Sequence, residues 1–172
     1  MEKLGKEALE NKEYMQIVEN ILNNDEFLKR KEYKHHGKKS VYKHSLEVSY
    51  LSYKISKKLK LDYKDTAIGG LLHDFYYEDW HLVPKEKKLL KKHGFTHAKQ
   101  ALENTKTVFP QYINKKTQNI ILRHMFPLNI LPPKYLESWI VSISDKIVSI
   151  DLLNKKDFLI CLGLKKRSDN NE

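Results

Sequence analysis

Apolar residues recur along this chain at intervals of three and four, and a sustained interval of two is found nowhere. That spacing gathers them on one side of a helix rather than one face of a strand. The first run covers 5–22, with Tyr14, Ile17, Val18, Ile21 and Leu22 on one stripe. Asn24 or Asp25 is placed to cap a short helix over EFLKRKEY, and after the polar loop KHHGKKS, Ser40 is placed to cap a long one over 41–60. Asp62 is the expected cap of a helix over 63–74 whose apolar face is Ala67, Ile68, Leu71 and Leu72. Gly69 and Gly70 interrupt that helix. Each costs it ~1 kcal/mol, so the pair implies a close neighbour that needs the room. The region 76–95 is aromatic and basic and is broken by Pro84. Beyond it, Thr96 is expected to cap HAKQALENTK, Asn114 to cap KKTQNIILRHM, and Pro132-Pro133 to open a long helix reaching about Leu153. RSDNNE reads as a frayed end. Without a strand pattern, repeat or low-complexity linker, the chain is expected to be all-α and a single domain.

Several polar residues fall where this pattern requires burial. On the 41–60 helix, His44 shares a stripe with Val41, Val48, Leu51 and Ile55. On the 134–153 helix, Asp145 shares one with Val141, Val148 and Leu152, beside a stripe of Ile140, Ile143, Ile147 and Ile150. His73 and Asp74 end the apolar pattern of their helix, His124 follows Ile120 and Ile121 by one turn, and His97 falls in the first turn after Thr96. A single inward histidine is more often a satisfied core residue than a ligand, and Asp145 alone is explained by an ion pair with Arg123 or a lysine. Together they differ: separate helices each send an imidazole or carboxylate inward, which is how helical folds build metal sites. Buried carboxylates need a cation or a hydrogen-bond network. Imidazole with carboxylate and no thiolate suits iron, manganese, zinc or a similar divalent ion. A closed structural zinc site would ordinarily include cysteine.

The 172 residues are enough for one hydrophobic core, with 40% hydrophobic and 31% charged residues. The net charge of +10 attracts phosphates, nucleic acid or acidic membrane. Its lysines are scattered as pairs rather than clustered or interleaved with aromatics, which disfavours a nucleic-acid partner and leaves a solvated basic surface. One cysteine, Cys161, excludes an internal disulfide and suits the cytoplasm. MEKLGKEALENKEY is charged from the start, unlike a signal peptide, and no apolar run approaches the ~20 residues needed to span a bilayer. No membrane partner is expected.

In order, YKHSLEV with His44, LLHDF with His73 and Asp74, and ISDKI with Asp145 resemble the motifs of the HD superfamily of metal-dependent phosphohydrolases. FTHAKQALE with His97 and ILRHMF with His124 look like the extra histidines of its two-metal members. The resemblance spans about 36–153 and implies a helical bundle of the HD type, with N-terminal helices over 1–33 and a tail over 166–172. It implies one or two divalent ions (iron, manganese or zinc, with magnesium or nickel possible). The first would be held by His44, His73, Asp74 and Asp145, the second by Asp74, His97 and His124, with Asp74 the catalytic carboxylate. The implied activity is metal-assisted hydrolysis of a small phosphorylated metabolite, a nucleotide being the expected class. A silent metal-binding regulatory domain and a nuclease are the alternatives. No GYP triplet is present, against the cyclic-di-GMP phosphodiesterase branch, and HDFYYEDW lacks the lysine of HDIGK variants. Substrate contacts are expected from His36, from Arg123, whose guanidinium matches two phosphate oxygens, and from Trp80 in FYYEDWH. Lys38 and Lys39 are further phosphate candidates. Oligomeric state is not legible.

Overall fold

The N-terminal apolar run folds as two helices, α1 (Glu2–Glu10) and α2 (Lys12–Leu22), where the stripe suggested one. Asn11 divides them: its backbone is extended, and its side chain accepts from the Tyr14 N–H at 2.9 Å as the cap of α2. This computed structural model describes residues 2–33, 39–77 and 93–149. The expectations for His36, Lys38 and Trp80 fall outside those residues, as do the tail and the stretch after Ser149.

Asn24, not Asp25, caps α3 (Asp25–Leu28), which tightens into a 3-10 turn over Lys29–Lys31. Ser40 caps α4 (Val41–Lys58), and Asp62 caps α5 (Tyr63–Leu72), as their sequences foretell. At the end of α4, Lys60 takes a φ of 56° while the Lys60 and Leu61 N–H groups bond back to the Lys57 and Ser56 carbonyls. This is the Schellman closure, with lysine in the left-handed position that glycine usually fills. Next comes α6 (His93–Val108), which begins three residues before Thr96. Thr96 is therefore interior to α6 and not its cap, and His97 lies in the second turn. Asn114 and Thr117 form a reciprocal capping box at the start of α7 (Lys115–Arg123). The last described helix, α8, spans Leu136–Ser149. Pro132-Pro133 precede it rather than open it. Residues before proline are pushed to extended backbone, and the Lys134 N–H is already engaged by Asn119 Oδ1 at 3.0 Å.

The described residues hold eight α-helices and no strand. At the centre, α4 lies against α5 and α8, and α7 lies against α5, α6 and α8. The two glycines make this possible. A Cβ on Gly69 would stand 2.7 Å from the Ile120 side chain of α7, and one on Gly70 would stand 3.0 Å from the Ser49 Cα of α4. Helices α1 to α3 close one side of the pair, burying Tyr14, Val18, Ile21 and Phe27 against Leu46, Tyr53, Leu71 and Phe75. On the other side Val48 and Leu51 of α4 meet Ile120 of α7 and Val141 and Val148 of α8. The isoleucine stripe of α8 is only partly inward: Ile140 and Ile147 are buried, but Ile143 is 51% exposed. On a helical wheel it falls about 40° beyond Ile147, away from Val141 and Val148, which puts it past the edge of the contact.

Arg30 ties the N-terminal helices to the segment after Asp74. Its side chain is fully buried, with the guanidinium over the rings of Tyr77 at 4.5 Å, Tyr33 at 4.7 Å and Phe75 at 5.1 Å. Cation–π attraction offsets part of the cost of burying that charge.

Candidate metal centre

Each helix of the central group ends or passes where a titratable side chain enters one shared space. His44 comes from the first turn of α4, Asp145 from the third turn of α8, and His97 from α6. His73 and His124 are the residues that terminate α5 and α7. The last carbonyls of a helix lack intrahelical partners. His73 Nδ1 donates to one of them, Gly70 O, at 2.7 Å, and His124 Nδ1 donates to Ile121 O at 2.7 Å. Both rings are thereby fixed in orientation with Nε2 turned inward.

Asp74 lies at the middle of the group. Its Oδ1 is 2.6 Å from His97 Nε2 and 3.4 Å from His124 Nε2, and its Oδ2 is 3.5 Å from His73 Nε2 and 3.8 Å from His44 Nε2. Asp145 Oδ1 is 3.1 Å from His44 Nε2 and 3.8 Å from His73 Nε2. Ring contacts link His44 to His73 at 5.4 Å, His73 to His124 at 4.9 Å and His124 to His97 at 5.5 Å. The buried Tyr76 ring meets that of His97 at a tilt, 4.3 Å between centroids. The His97 side chain is 21% exposed and that of Asp145 13%, whereas His44, His73, Asp74 and His124 are at most 3% exposed. Of the six, His97 and Asp145 are thus the two that solvent reaches.

Burial alone would strip His73 of its proton, but the Asp74 and Asp145 carboxylates outweigh it and hold its pKa up at about 9. Burial also opposes ionisation of Asp145, yet the His44 and His73 rings keep its carboxyl well below the usual range. Burial dominates at His124, with Asp74 pulling its pKa back up, and leaves it lowered.

The donor set fits a divalent cation on a specific observation. The Nε2 atoms of His73 and His124 are buried without a hydrogen-bond partner, and each faces carboxylate oxygen. With Nδ1–H committed to a carbonyl, a neutral ring turns a lone pair toward those oxygens. Such an arrangement is repulsive until a proton or a metal ion stands between. Two overlapping groups, His44 with His73 and Asp145, and His73 with Asp74 and His124, each offer donor atoms within 4.8 Å of one another.

All six residues expected to face a metal are therefore brought together. The Arg123 side chain is half-buried, and among the described residues none bonds to its guanidinium or forms the ion pair with Asp145 that its sequence position allowed. Lys39 instead forms an ion pair with the buried carboxylate of Glu47, at 2.9 Å. Four contributions escaped the sequence reading: the Gly70 and Ile121 carbonyls, Ser142, and Lys146, which stands in plain view as the lysine of SDKI. Carbonyl roles leave no trace in residue identity. A polar serine and lysine one turn apart beside Asp145 were the only available sign of the other two.

A helical bundle with histidines and aspartates converging from five helices defines an α-helical protein whose clustered side chains could hold a metal ion. The family model for the HD domain matches residues 41–150, and the chain belongs to that family. The family consists in general of metal-dependent phosphohydrolases that bind divalent metals. Searches of curated proteins and of solved structures each returned no match. No described helix is long and apolar enough to cross a membrane.

Proposed function

We propose that this protein is a cytoplasmic metal-dependent phosphohydrolase that cleaves a phosphate ester or anhydride of a small phosphorylated metabolite, a nucleotide in particular. The observation that carries the reading is the pair of buried, unbonded Nε2 atoms on His73 and His124, each facing a different oxygen of the one Asp74 carboxylate. His44, His73, Asp74 and Asp145 would hold a first cation, and Asp74, His97 and His124 a second, with iron, manganese or zinc the chemically suited ions. A divalent cation supplies Lewis acidity toward phosphoryl oxygen and raises the acidity of water.

The chain's own groups do the rest. Asp74 offers Oδ1 to the His97 and His124 side and Oδ2 to the His44 and His73 side, so one carboxylate joins both halves of the centre. With a single cation bound, His97, accessible and bonded to Asp74 at 2.6 Å, is instead placed to hold or pass a proton at Nε2. Arg123, next to His124 and with a guanidinium that bonds to no described residue, is the candidate clamp for two phosphate oxygens. The basic charge of the chain draws polyanions toward the centre.

The test is a panel of nucleoside mono-, di- and triphosphates, dinucleoside polyphosphates, cyclic dinucleotides and sugar phosphates, with manganese or iron supplied. The highest kcat/KM is expected on a nucleotide, with Arg123→Ala raising KM. A best substrate among the sugar phosphates would overturn the nucleotide assignment, and silence of metal-loaded protein across the panel would favour a regulatory metal-binding domain.

A further inference from the structure

Lys146 follows Asp145 on α8 but is tied to α7. Its Nζ donates to the carbonyl of His124 at 3.1 Å, to the carbonyl of Ser142 at 3.1 Å and to Ser142 Oγ at 3.0 Å. An ammonium has three N–H groups, and here each has an acceptor inside the protein. This lysine is therefore committed to the fold rather than offered to a phosphate. Ser142 Oγ in turn donates to the same His124 carbonyl at 2.7 Å.

That carbonyl belongs to the residue that ends α7, where partner-less carbonyls give the helix its negative end and a cation is favoured. Lys146 is half-buried, and burial lowers its pKa, with Asp145 pulling it back up. One turn of α8, from Ser142 to Lys146, thus carries the Asp145 carboxylate and both groups that grip His124. The imidazole of His124 is fixed on its own helix by the Nδ1 bond to Ile121 O, and its backbone is fixed to α8 by this grip. Its Nε2 then stands 3.4 Å from Asp74, across from the side where Asp145 meets His44.

We infer that Lys146, with Ser142, is a positioning residue for the second cation. Its grip sets the His124 imidazole relative to Asp74 and Asp145, and through that the occupancy of the His97–His124 half of the centre. It touches neither cation nor substrate. The inference rests on the metal reading above, and its test separates the two.

Lys146→Met, Lys146→Arg and Ser142→Ala are compared with the unaltered full chain by manganese titration with elemental analysis, by melting temperature, and by 15N spectra of the imidazoles. In Lys146→Met the first cation is expected to bind as before and the second to weaken by about 10- to 100-fold, the size of outer-shell effects on metal affinity. Ser142→Ala, which leaves the charge in place, shifts affinity the same way by less, and Lys146→Arg restores most of it. Equal weakening of both cations, or a lower melting temperature with both affinities intact, would reduce Lys146 to a strut of the fold and overturn the proposal. If the unaltered chain takes one cation only, the 15N spectrum decides: a shifted His124 Nε2 resonance in both Lys146→Met and Ser142→Ala, reporting a ring displaced from Asp74, supports it, and an unchanged Nε2 resonance overturns it. A chain that binds no cation overturns the metal reading itself, and this inference with it.

Discussion

His73 and His124 are built alike on two different helices: each terminates its helix, and each donates Nδ1–H to the carbonyl three residues back at 2.7 Å. The same local device therefore operates twice, turning an unsatisfied helix-end carbonyl into the group that aims an imidazole. The two rings meet edge to face at 4.9 Å, and the Asp74 carboxylate faces both, with Oδ2 toward His73 and His44 and Oδ1 toward His124 and His97.

The purified protein is expected to carry about one to two equivalents of a transition metal, as facing-helix sites of imidazole and carboxylate do. Chelation lowers the melting temperature, because Asp74 and Asp145 then lose a compensating cation. Asp74→Ala abolishes hydrolysis, and Asp145→Ala loses the first cation. Elemental analysis checks this directly: an Asp145→Ala protein with full metal content would make that residue a mere ion-pair partner of His44.

The chelated protein should become less stable as pH rises from about 6.5 to about 9. His73 has a folded pKa near 9 against an ordinary value of 6.5. Its proton is held more tightly in the folded state, so its contribution is complete below 6.5 and lost as pH passes 9. Asp145, held well below its usual value, contributes above the ordinary carboxylate range and loses that contribution only in acid. With manganese the trend reverses, since the cation takes the deprotonated rings. Melting temperatures at both pH values, with chelator and with metal, should therefore slope in opposite directions. Parallel slopes would mean that His73 does not exchange a proton for a metal.

Gly69→Ala is expected to destabilise the fold by about 1–3 kcal/mol, the usual range for overpacking. The added methyl would stand 2.7 Å from the side chain of fully buried Ile120, so that side chain or its helix has to shift. A gain in stability by denaturant unfolding, from helix propensity alone, would show that α5 and α7 are less closely packed than described.

Lys60→Gly should stabilise by about 0.5–1 kcal/mol, because the left-handed φ of 56° strains a side-chain-bearing residue and not glycine. Urea midpoints compare the two, and a lower midpoint for the glycine variant would count against the Schellman closure as the source of strain.

Much of this arrangement was readable from spacing. The helical period placed His44 with Val41, Val48 and Leu51 on an inward stripe, and the structure buries all four. Ser40, Asp62, Asn24 and Asn114 announced helix starts because capping is chemistry local to three or four residues. The readings that failed were those where local cues compete. Asn11 broke a continuous apolar stripe, Thr96 was passed over inside α6, and the two prolines stood clear of α8.

What the sequence by itself determined is the helical class, the inward direction of the histidines and acids, and the chemical type of ligand they offer, since all three follow from period and side-chain chemistry. Which oxygen faces which ring was decided only by tertiary packing. Asp74 meets rings from four helices because Gly69 and Gly70 let α5 approach Ile120 and Ser49 closely. The hold of Lys146 and Ser142 on His124 joins residues 22 and 18 positions apart. Contacts of that kind depend on where whole helices come to rest, and no period in the chain encodes them.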